Sequence, residues 1–166
     1  MFLFHLTPNK VCIRKFSNNA LEHHTKLLTR MYEAAPINGL INKHRITFDN
    51  KGDTTIEGFV PEKVHTHTAG SMHGSCYFKL LDDAAFFAAQ ARVTDYFVLT
   101  SSFNSVFIRP VLPGTDLTAK GWVTNTSNSL IVAHSELLTK QGKLVASGTG
   151  TFMKSPNVKI SDLKLP

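Results

Sequence analysis

The fold of this chain is decided by residues 72–85, which read Met72-His73-Gly74-Ser75-Cys76-Tyr77-Phe78-Lys79-Leu80-Leu81-Asp82-Asp83-Ala84-Ala85. A His-Gly pair closes a polar loop, and the largely apolar segment from Gly74 to Arg92 predicts a helix of about five turns. Apolar side chains recur at helical spacing and also occupy the opposite side of this helix. A helix that is apolar nearly all round must be buried on most sides. The stretch therefore predicts a central helix enclosed by the rest of the chain.

Two features of this stretch suggest chemistry at the helix. The N–H groups of the first turn have no intrahelical acceptor, so they are free to bind a carbonyl oxygen or an anion. Asp82 and Asp83 follow about two turns later, among apolar residues, where a carboxylate is costly unless it has a partner or a role. Adjacent helical side chains point roughly 100° apart, so the two carboxylates are not expected to face one ligand. Donors at a helix start and a carboxylate in an apolar wall are used together in acyl-transfer chemistry.

The residues around the central helix predict one further helix and six strands. Asn19 and Glu22 resemble a capping box, and the amphipathic helix that follows ends before Pro36. Strands are predicted at residues 45–49, 55–60, 97–108, 116–124, 130–138 and 143–153. Long sequential strands with short turns favour an antiparallel meander. We expect an α+β fold in which an antiparallel sheet wraps around one long central helix, with an extra N-terminal helix.

Length and composition indicate one globular domain. The chain has 166 residues, which suits a flexible extension over residues 1–17, a domain over 18–154 and a polar, loosely held tail over 155–166. The formal net charge is +6, but the basic residues are scattered, which argues against nucleic acid and favours a small anionic ligand. No apolar run is long enough to span a membrane. Cys12 and Cys76 are expected to be reduced thiols of a cytoplasmic protein, and organellar targeting by the basic N-terminal segment stays open.

The segment from Ile46 to Met153 resembles the hotdog-fold acyl-CoA thioesterases of the phenylacetate-degradation (PaaI-like) type. The family motif is a loop of the form Asn-x-x-Gly-x-x-His-Gly-Gly, followed by a helix whose Asp lies nine residues after the His. The matching parts are residues 67–75 with Asp82 nine residues after His73, residues 100–110 with their Arg109-Pro110 ending, Leu112-Pro113-Gly114, and residues 142–152. Their order and spacing together are fairly specific for the fold and less specific for the substrate.

The resemblance implies catalytic roles for Asp82, Gly74, His73 and Thr100. Asp82 would act as general base on water or as nucleophile. The N–H of Gly74 and the positive end of the helix would polarise a thioester carbonyl. Thr100 would help to hold the attacking water, and His73 would orient the loop or the carbonyl. The spacing from His73 selects Asp82 over Asp83, although Asp83 lies within the main apolar stripe of the helix.

The resemblance also implies substrate-binding roles for His67, Ser75 and Arg109. His67 stands where the family has Asn, so an imidazole would replace the usual amide contact to the carbonyl. Ser75 stands where the family has a second Gly, which would crowd the helix start. Arg109, with Lys120 as a possible neighbour, would meet the phosphates of coenzyme A.

The implied reaction converts an acyl-CoA and water into a carboxylic acid and free coenzyme A. The resemblance further implies a homodimer or a dimer of dimers whose sites are built from two chains, and it implies no metal or redox cofactor. A non-catalytic acyl-CoA-binding protein and a 3-hydroxyacyl-thioester dehydratase of the same fold remain alternatives. Two further hypotheses are weaker: a metal site made of His65, His67 and His73, and a nucleophilic Cys76, whose place on the apolar stripe favours a packed thiol.

Overall fold

The structure, a computed structural model, describes residues 18–41 and 44–165. The predictions of a flexible extension over residues 1–17 and of a reduced Cys12 fall outside these residues. The two helices are α1 (Asn18–Ala34) and α2 (Gly74–Gln90), and the strands are β1 (Arg45–Phe48), β2 (Thr54–Phe59), β3 (Tyr96–Phe107), β4 (Leu117–Thr126), β5 (Leu130–Thr139) and β6 (Leu144–Lys159). Short 3-10 helices occupy Pro36–Leu40, Lys63–His65 and Ile160–Asp162.

The six strands form one antiparallel sheet in the order β1-β2-β4-β5-β6-β3, and α2 packs against its inner face. More than half of the residues of α2 are buried, so the predicted central helix is confirmed. The expectation of an α+β fold with an extra N-terminal helix is confirmed as well, and Leu21, Leu28, Met31 and Tyr32 form the buried face of α1. Within the described residues, neither helix has both the length and the hydropathy needed to cross a bilayer.

The expectation of a simple meander is wrong for β3. Strands β4, β5 and β6 follow one another as predicted, but β3 pairs with β6 at one edge of the sheet instead of with β4. Strands β2 and β5 pair with the two sides of β4, so β3 cannot pair with β4 and lies at the far edge beside β6. In the described part of the chain, the outer edge of β3 therefore has no partner strand.

The second correction concerns the C-terminal tail. Strand β6 continues to Lys159, beyond Met153 where the predicted strand ends, and a 3-10 helix follows it. Ser155 and Ile160 are buried, and the Ile160 N–H donates to the Asp95 carbonyl at 3.1 Å. The expectation of a loosely held tail is therefore wrong for this segment. The polar composition of the tail gave no sign of these buried residues or of the hydrogen bond to Asp95.

Gln90 at the end of α2 holds the start of β3 in place. Its side chain is fully buried, accepts the Val98 N–H at 2.8 Å, and donates to the Val93 carbonyl at 2.9 Å and the Tyr96 carbonyl at 3.0 Å. Replacement by leucine would leave three backbone groups without partners. We expect Gln90→Leu to lower the free energy of unfolding by roughly 3 kcal/mol or more, since each buried unsatisfied group costs about 1–3 kcal/mol.

The control for Gln90→Leu is Gln141→Leu at an exposed turn position, where a change within about 0.5 kcal/mol is expected. Urea unfolding of both variants at one protein concentration measures the difference. Equal stabilities would show that the backbone of residues 93–98 holds its conformation without Gln90.

Candidate active site

Asp82 lies on the side of α2 that faces β3, and Thr100 meets it there. The Thr100 hydroxyl donates to Asp82 Oδ1 at 3.2 Å. Burial raises the pKa of Asp82 to about 6; the Thr100 hydrogen bond opposes this shift, and the charge of Asp83 adds to it. A carboxylate with a pKa near neutrality can take up and release a proton under ordinary conditions, as a general base must.

A β-bulge in β3 gives Thr100 this orientation. Thr100 pairs with Phe152 and Ser102 pairs with Thr151, so Ser101 is an extra residue without a partner on β6. In a regular strand, Thr100 and Phe103 would face opposite sides of the sheet. The bulge allows both to face α2, where Phe103 packs edge-to-face on Phe78 with ring centroids 5.3 Å apart. This bulge could not be predicted from the sequence, because the serines at residues 101 and 102 give no signal for one.

Asp83 has a different environment, although it neighbours Asp82. It forms a short ion pair with Lys79, and Lys79 also donates to Asn38 Oδ1 at 2.7 Å. The side chains of Asp83 and Lys79 are only 15% and 18% exposed. Burial raises the pKa of Asp83, and the adjacent Lys79 opposes the shift. Asp83 thus holds Lys79, and Lys79 joins α2 to the 3-10 helix that follows α1.

His73 caps the start of α2. Its Nδ1 accepts the Ser75 N–H at 3.1 Å and lies 2.8 Å from Ser75 Oγ, while its carbonyl accepts the Cys76 N–H at 3.0 Å. Among the described residues, no acceptor binds the N–H of Gly74. A Cβ at Gly74 would lie 3.0 Å from the ring of Phe107, so glycine also permits this close packing. The cap leaves one free donor at the helix start, at Gly74.

A single chain does not bring this donor to Asp82. Gly74 and Asp82 are eight residues apart on one helix, which places them about 12 Å apart along its axis. One carbonyl group is too small to contact both.

The structure places His67 and Arg109 away from the Asp82–Thr100 pair. His67 Nδ1 accepts the Ala69 N–H at 3.1 Å, and its Nε2 lies 2.9 Å from Ser71 Oγ, so both ring nitrogens are used within their own loop. Arg109 follows β3, where its guanidinium donates to the Leu144 carbonyl at 2.5 Å. Arg109 lines a separate surface groove of about 490 Å³ together with Lys143.

The hypotheses of a metal site and of a nucleophilic cysteine find no support in the described residues. His65 Nδ1 accepts the Glu62 N–H at 2.9 Å, and no group of three or more metal-ligating side chains occurs in residues 18–41 and 44–165. Cys76 is half-buried, and burial raises the pKa of its thiol, whereas a nucleophilic thiol needs a lowered one. A packed thiol is the better interpretation of Cys76.

A cavity of about 470 Å³ opens beside Asp82 and Thr100. Its remaining walls come from the end of α1, the first 3-10 helix, α2, the start of β3 and the C-terminal segment. The lining residues other than Asp82 and Thr100 are Met31, Tyr32, Ala34, Ala35, Ile37, Asn38, Lys79, Asp83, Phe86, Phe87, Phe97, Val98, Leu99, Leu163, Lys164 and Leu165. The walls outside α2 and β3 were not predicted from the sequence. The apolar face of α1 was visible, but nothing in the sequence pointed to the C-terminal wall.

The raised pKa of Asp82 predicts a change of stability with pH. The unfolded chain loses this proton near pH 3.9, whereas the folded chain keeps it to about pH 6. Between these values the folded state binds more protons, so the free energy of unfolding attributable to Asp82 falls as pH rises. We expect Asp82→Asn to remove this fall and to be more stable than wild type at pH 7 by about 1–2 kcal/mol.

Urea unfolding at pH 4.5 and pH 7 measures this effect. Asp162→Asn, at an exposed carboxylate, serves as the control and should behave like wild type. A wild-type pH dependence that persists unchanged in Asp82→Asn would place its origin in another group.

Comparison with known proteins identifies the fold, and it matches one segment of the chain to a protein superfamily. The model of the thioesterase superfamily matches residues 69–146, and no relative was found among curated proteins. The PaaI protein of the Escherichia coli phenylacetic acid degradation operon superposes with a TM-score of 0.73 at 20% identity, over 85% of this chain and 97% of that one. A mutant of the phenylacetic acid degradation protein PaaI from Thermus thermophilus gives a TM-score of 0.65 at 23% identity, over 73% and 100%.

A third similar structure, from Streptococcus mutans, is bound to acetyl-CoA. Its TM-score is 0.62 at 16% identity, and the match covers 69% of this chain and 90% of that one. The fold expected from the resemblance is confirmed: this chain shares the hotdog fold of the PaaI structures, and its residues 69–146 match the thioesterase superfamily.

Proposed function

We propose that this chain is an acyl-CoA thioesterase, which converts an acyl-CoA and water into a carboxylic acid and free coenzyme A. The observation that carries the proposal is Asp82, a carboxylate with a pKa of about 6 that is bonded to Thr100 and opens onto a cavity. The superfamily match over residues 69–146 and the acetyl-CoA bound by the Streptococcus mutans protein of the same fold support the choice of a thioester.

In the proposed reaction Asp82 takes a proton from a water molecule as the water oxygen bonds to the thioester carbon. The Thr100 hydroxyl holds the carboxylate and the water in line. The carbonyl oxygen becomes an oxyanion, which the free N–H of Gly74 stabilises. The carbon–sulfur bond then breaks, and the coenzyme A thiolate takes back the proton from Asp82. This sequence needs no metal or redox cofactor.

The Gly74 donor must come from a second copy of the chain, because Gly74 and Asp82 of one helix lie too far apart to share a carbonyl. The unpaired edge of β3 supports self-association. Leu99, Val106 and Phe107 on this strand are about half exposed, and exposed apolar edge strands are normally covered. A homodimer or a dimer of dimers joined along β3 would place the start of one α2 beside Asp82 of its neighbour.

The remaining residues suggested by the sequence keep supporting roles in this proposal. His73 positions the Gly74 donor through the helix cap that it forms with Ser75. Arg109 and Lys143, which line one groove, would bind coenzyme A phosphates. His67 would reach a carbonyl only by giving up a hydrogen bond within its loop.

The proposal is tested with wild-type protein and a series of acyl-CoA thioesters, with release of the free thiol as the readout. We expect kcat/KM to rise with pH through about 6 as Asp82 ionises, and then to level off. Sedimentation in the same buffer should give at least twice the mass of one chain. Tight binding of the thioesters without thiol release would favour the non-catalytic acyl-CoA-binding alternative. Addition of water to an enoyl thioester would favour the dehydratase.

A further inference from the structure

The cavity beside Asp82 has walls that lie outside the segment matched to the thioesterase superfamily. The end of α1 and the following 3-10 helix form one side, through Met31, Ala34 and Ile37 among others. The C-terminal segment closes another side with Leu163 and Leu165. The matched segment stops at residue 146, so both walls belong to parts of the chain that the superfamily model does not cover.

The chemistry of these walls suits an apolar, uncharged group. Aromatic rings from Phe86, Phe87 and Phe97 line the cavity together with the aliphatic side chains. Lys79 and Asp83 also reach it, but they pair with each other, and Lys164, the other lysine of the lining, is exposed to solvent. A volume of about 470 Å³ falls within the roughly 300–1,000 Å³ typical of small-molecule sites.

The position of Asp82 fixes the direction in which a ligand would lie. Asp82 and Thr100 line this same cavity, so a carbonyl carbon within reach of a water held by this pair sits at the cavity wall. The acyl group on that carbon can extend into the cavity of the chain that supplies Asp82. The coenzyme A part is too large and too charged for this apolar space, so it lies outside.

We propose that the substrate, in the thioesterase reaction proposed above, carries an apolar acyl group of medium length or longer. This acyl group lies in the cavity of the same subunit that supplies Asp82. Which acyl groups fit is determined by Met31, Ala34 and Ile37 on one side and by Leu163 and Leu165 on the other.

The first experiment is a chain-length series from acetyl-CoA to lauroyl-CoA. Burial of a methylene contributes enough hydrophobic free energy for about a fourfold effect, so kcat/KM should rise by about fourfold per added methylene until the cavity is full. Ala34→Phe, which fills the cavity, should lower the ratio of kcat/KM for octanoyl-CoA to that for acetyl-CoA by about tenfold or more. Glu33→Phe, exposed on the same helix and outside the cavity lining, should leave that ratio as in wild type.

A second variant enlarges the cavity, which keeps the proposal testable if Ala34→Phe does not fold. Leu163→Ala should move the chain length at which kcat/KM stops rising toward longer acyl groups. An unchanged chain-length preference in both folded variants, with hydrolysis retained, would overturn this inference and leave the thioesterase proposal intact.

Binding measurements test the acyl cavity independently of hydrolysis. If no thioester is hydrolysed, calorimetry measures the affinities for octanoyl-CoA and for free coenzyme A, and their difference tests whether the acyl group binds in the cavity. A preference for octanoyl-CoA that Ala34→Phe abolishes and Glu33→Phe keeps would support the acyl cavity although the catalytic proposal had failed. No preference in wild type would overturn it.

Mixed dimers test whether the base and the acyl cavity belong to one subunit. Asp82→Asn and Ala34→Phe chains are co-expressed with different affinity tags, and the mixed dimer is purified by two successive affinity steps, one for each tag. If one subunit supplies base and cavity, each site in the mixed dimer is defective, and octanoyl-CoA hydrolysis stays at the level of the single variants. Recovery toward half of the wild-type rate would show that the cavity belongs to the other subunit and would overturn the assignment.

Discussion

Asp82→Asn is expected to lower kcat for acyl-CoA hydrolysis by about 10²–10⁴-fold, the usual contribution of a general base. The amide keeps the shape of the side chain and can still bond to Thr100, but it takes no proton from water at neutral pH. The folded protein should persist, because the loss of a half-buried carboxylate removes a desolvation cost. Loss of activity without loss of stability would separate a catalytic role of Asp82 from a structural one.

The matched control is Asp83→Asn on the neighbouring helical position. Its amide oxygen can still accept from Lys79, and its side chain is bonded away from Thr100. We expect this variant to keep kcat within about tenfold of wild type, since Asp83 takes no part in the proposed proton transfer. If Asp83→Asn were the more damaging change, the base would be Asp83, as the apolar stripe of the helix would have suggested.

Gly121→Ala is expected to show the largest effect on folding. Gly121 in β4 lies directly against α2, and an added Cβ would overlap the Ala84 carbonyl and approach Thr54 Oγ1 to 2.7 Å. The Thr54 hydroxyl donates to that same carbonyl at 2.6 Å, so the helix cannot move away without breaking a buried hydrogen bond. Overpacking usually costs about 1–3 kcal/mol, and a clash with backbone should exceed that range.

Gly39→Ala is the control for this substitution, because nothing lies within 4 Å of a Cβ at that position. We expect Gly39→Ala to unfold at nearly the wild-type temperature, and Gly121→Ala to be insoluble or to melt far below it. A well-folded Gly121→Ala protein would mean that α2 can shift on the sheet. Asp82 would then shift relative to Thr100, so activity would reveal the movement even where stability did not.

The elements of the fold could be predicted because hydrophobic spacing sets them locally. The apolar run of α2 and the alternating residues of β4 and β5 placed these elements to within about two residues. The order of strands could not be predicted in this way. Pairing of β3 with β6 depends on contacts between residues far apart in sequence, which no local pattern encodes.

The candidate site was likewise only partly predictable from the sequence. The spacing of a recognised motif selected Asp82 and Thr100, and the structure places them 3.2 Å apart. The cavity beside them depends on four separate segments meeting, and the composition of β3 gives no signal for the bulge at Ser101. His67 also illustrates the limit, since motif position suggested a ligand contact while the actual partners are its own loop neighbours.

The open edge of β3 has a consequence for how sequence variation would appear in a living cell. Under the proposed assembly along β3, a newly made chain that finds no second copy exposes a long strand with half-exposed Leu99, Val106 and Phe107, which favours aggregation and recognition by chaperones and proteases. Substitutions that weaken assembly would therefore reduce the amount of protein, because unassembled chains would be removed, while each assembled molecule stayed normally active. Low abundance at unchanged specific activity would be the signature of damage at this edge.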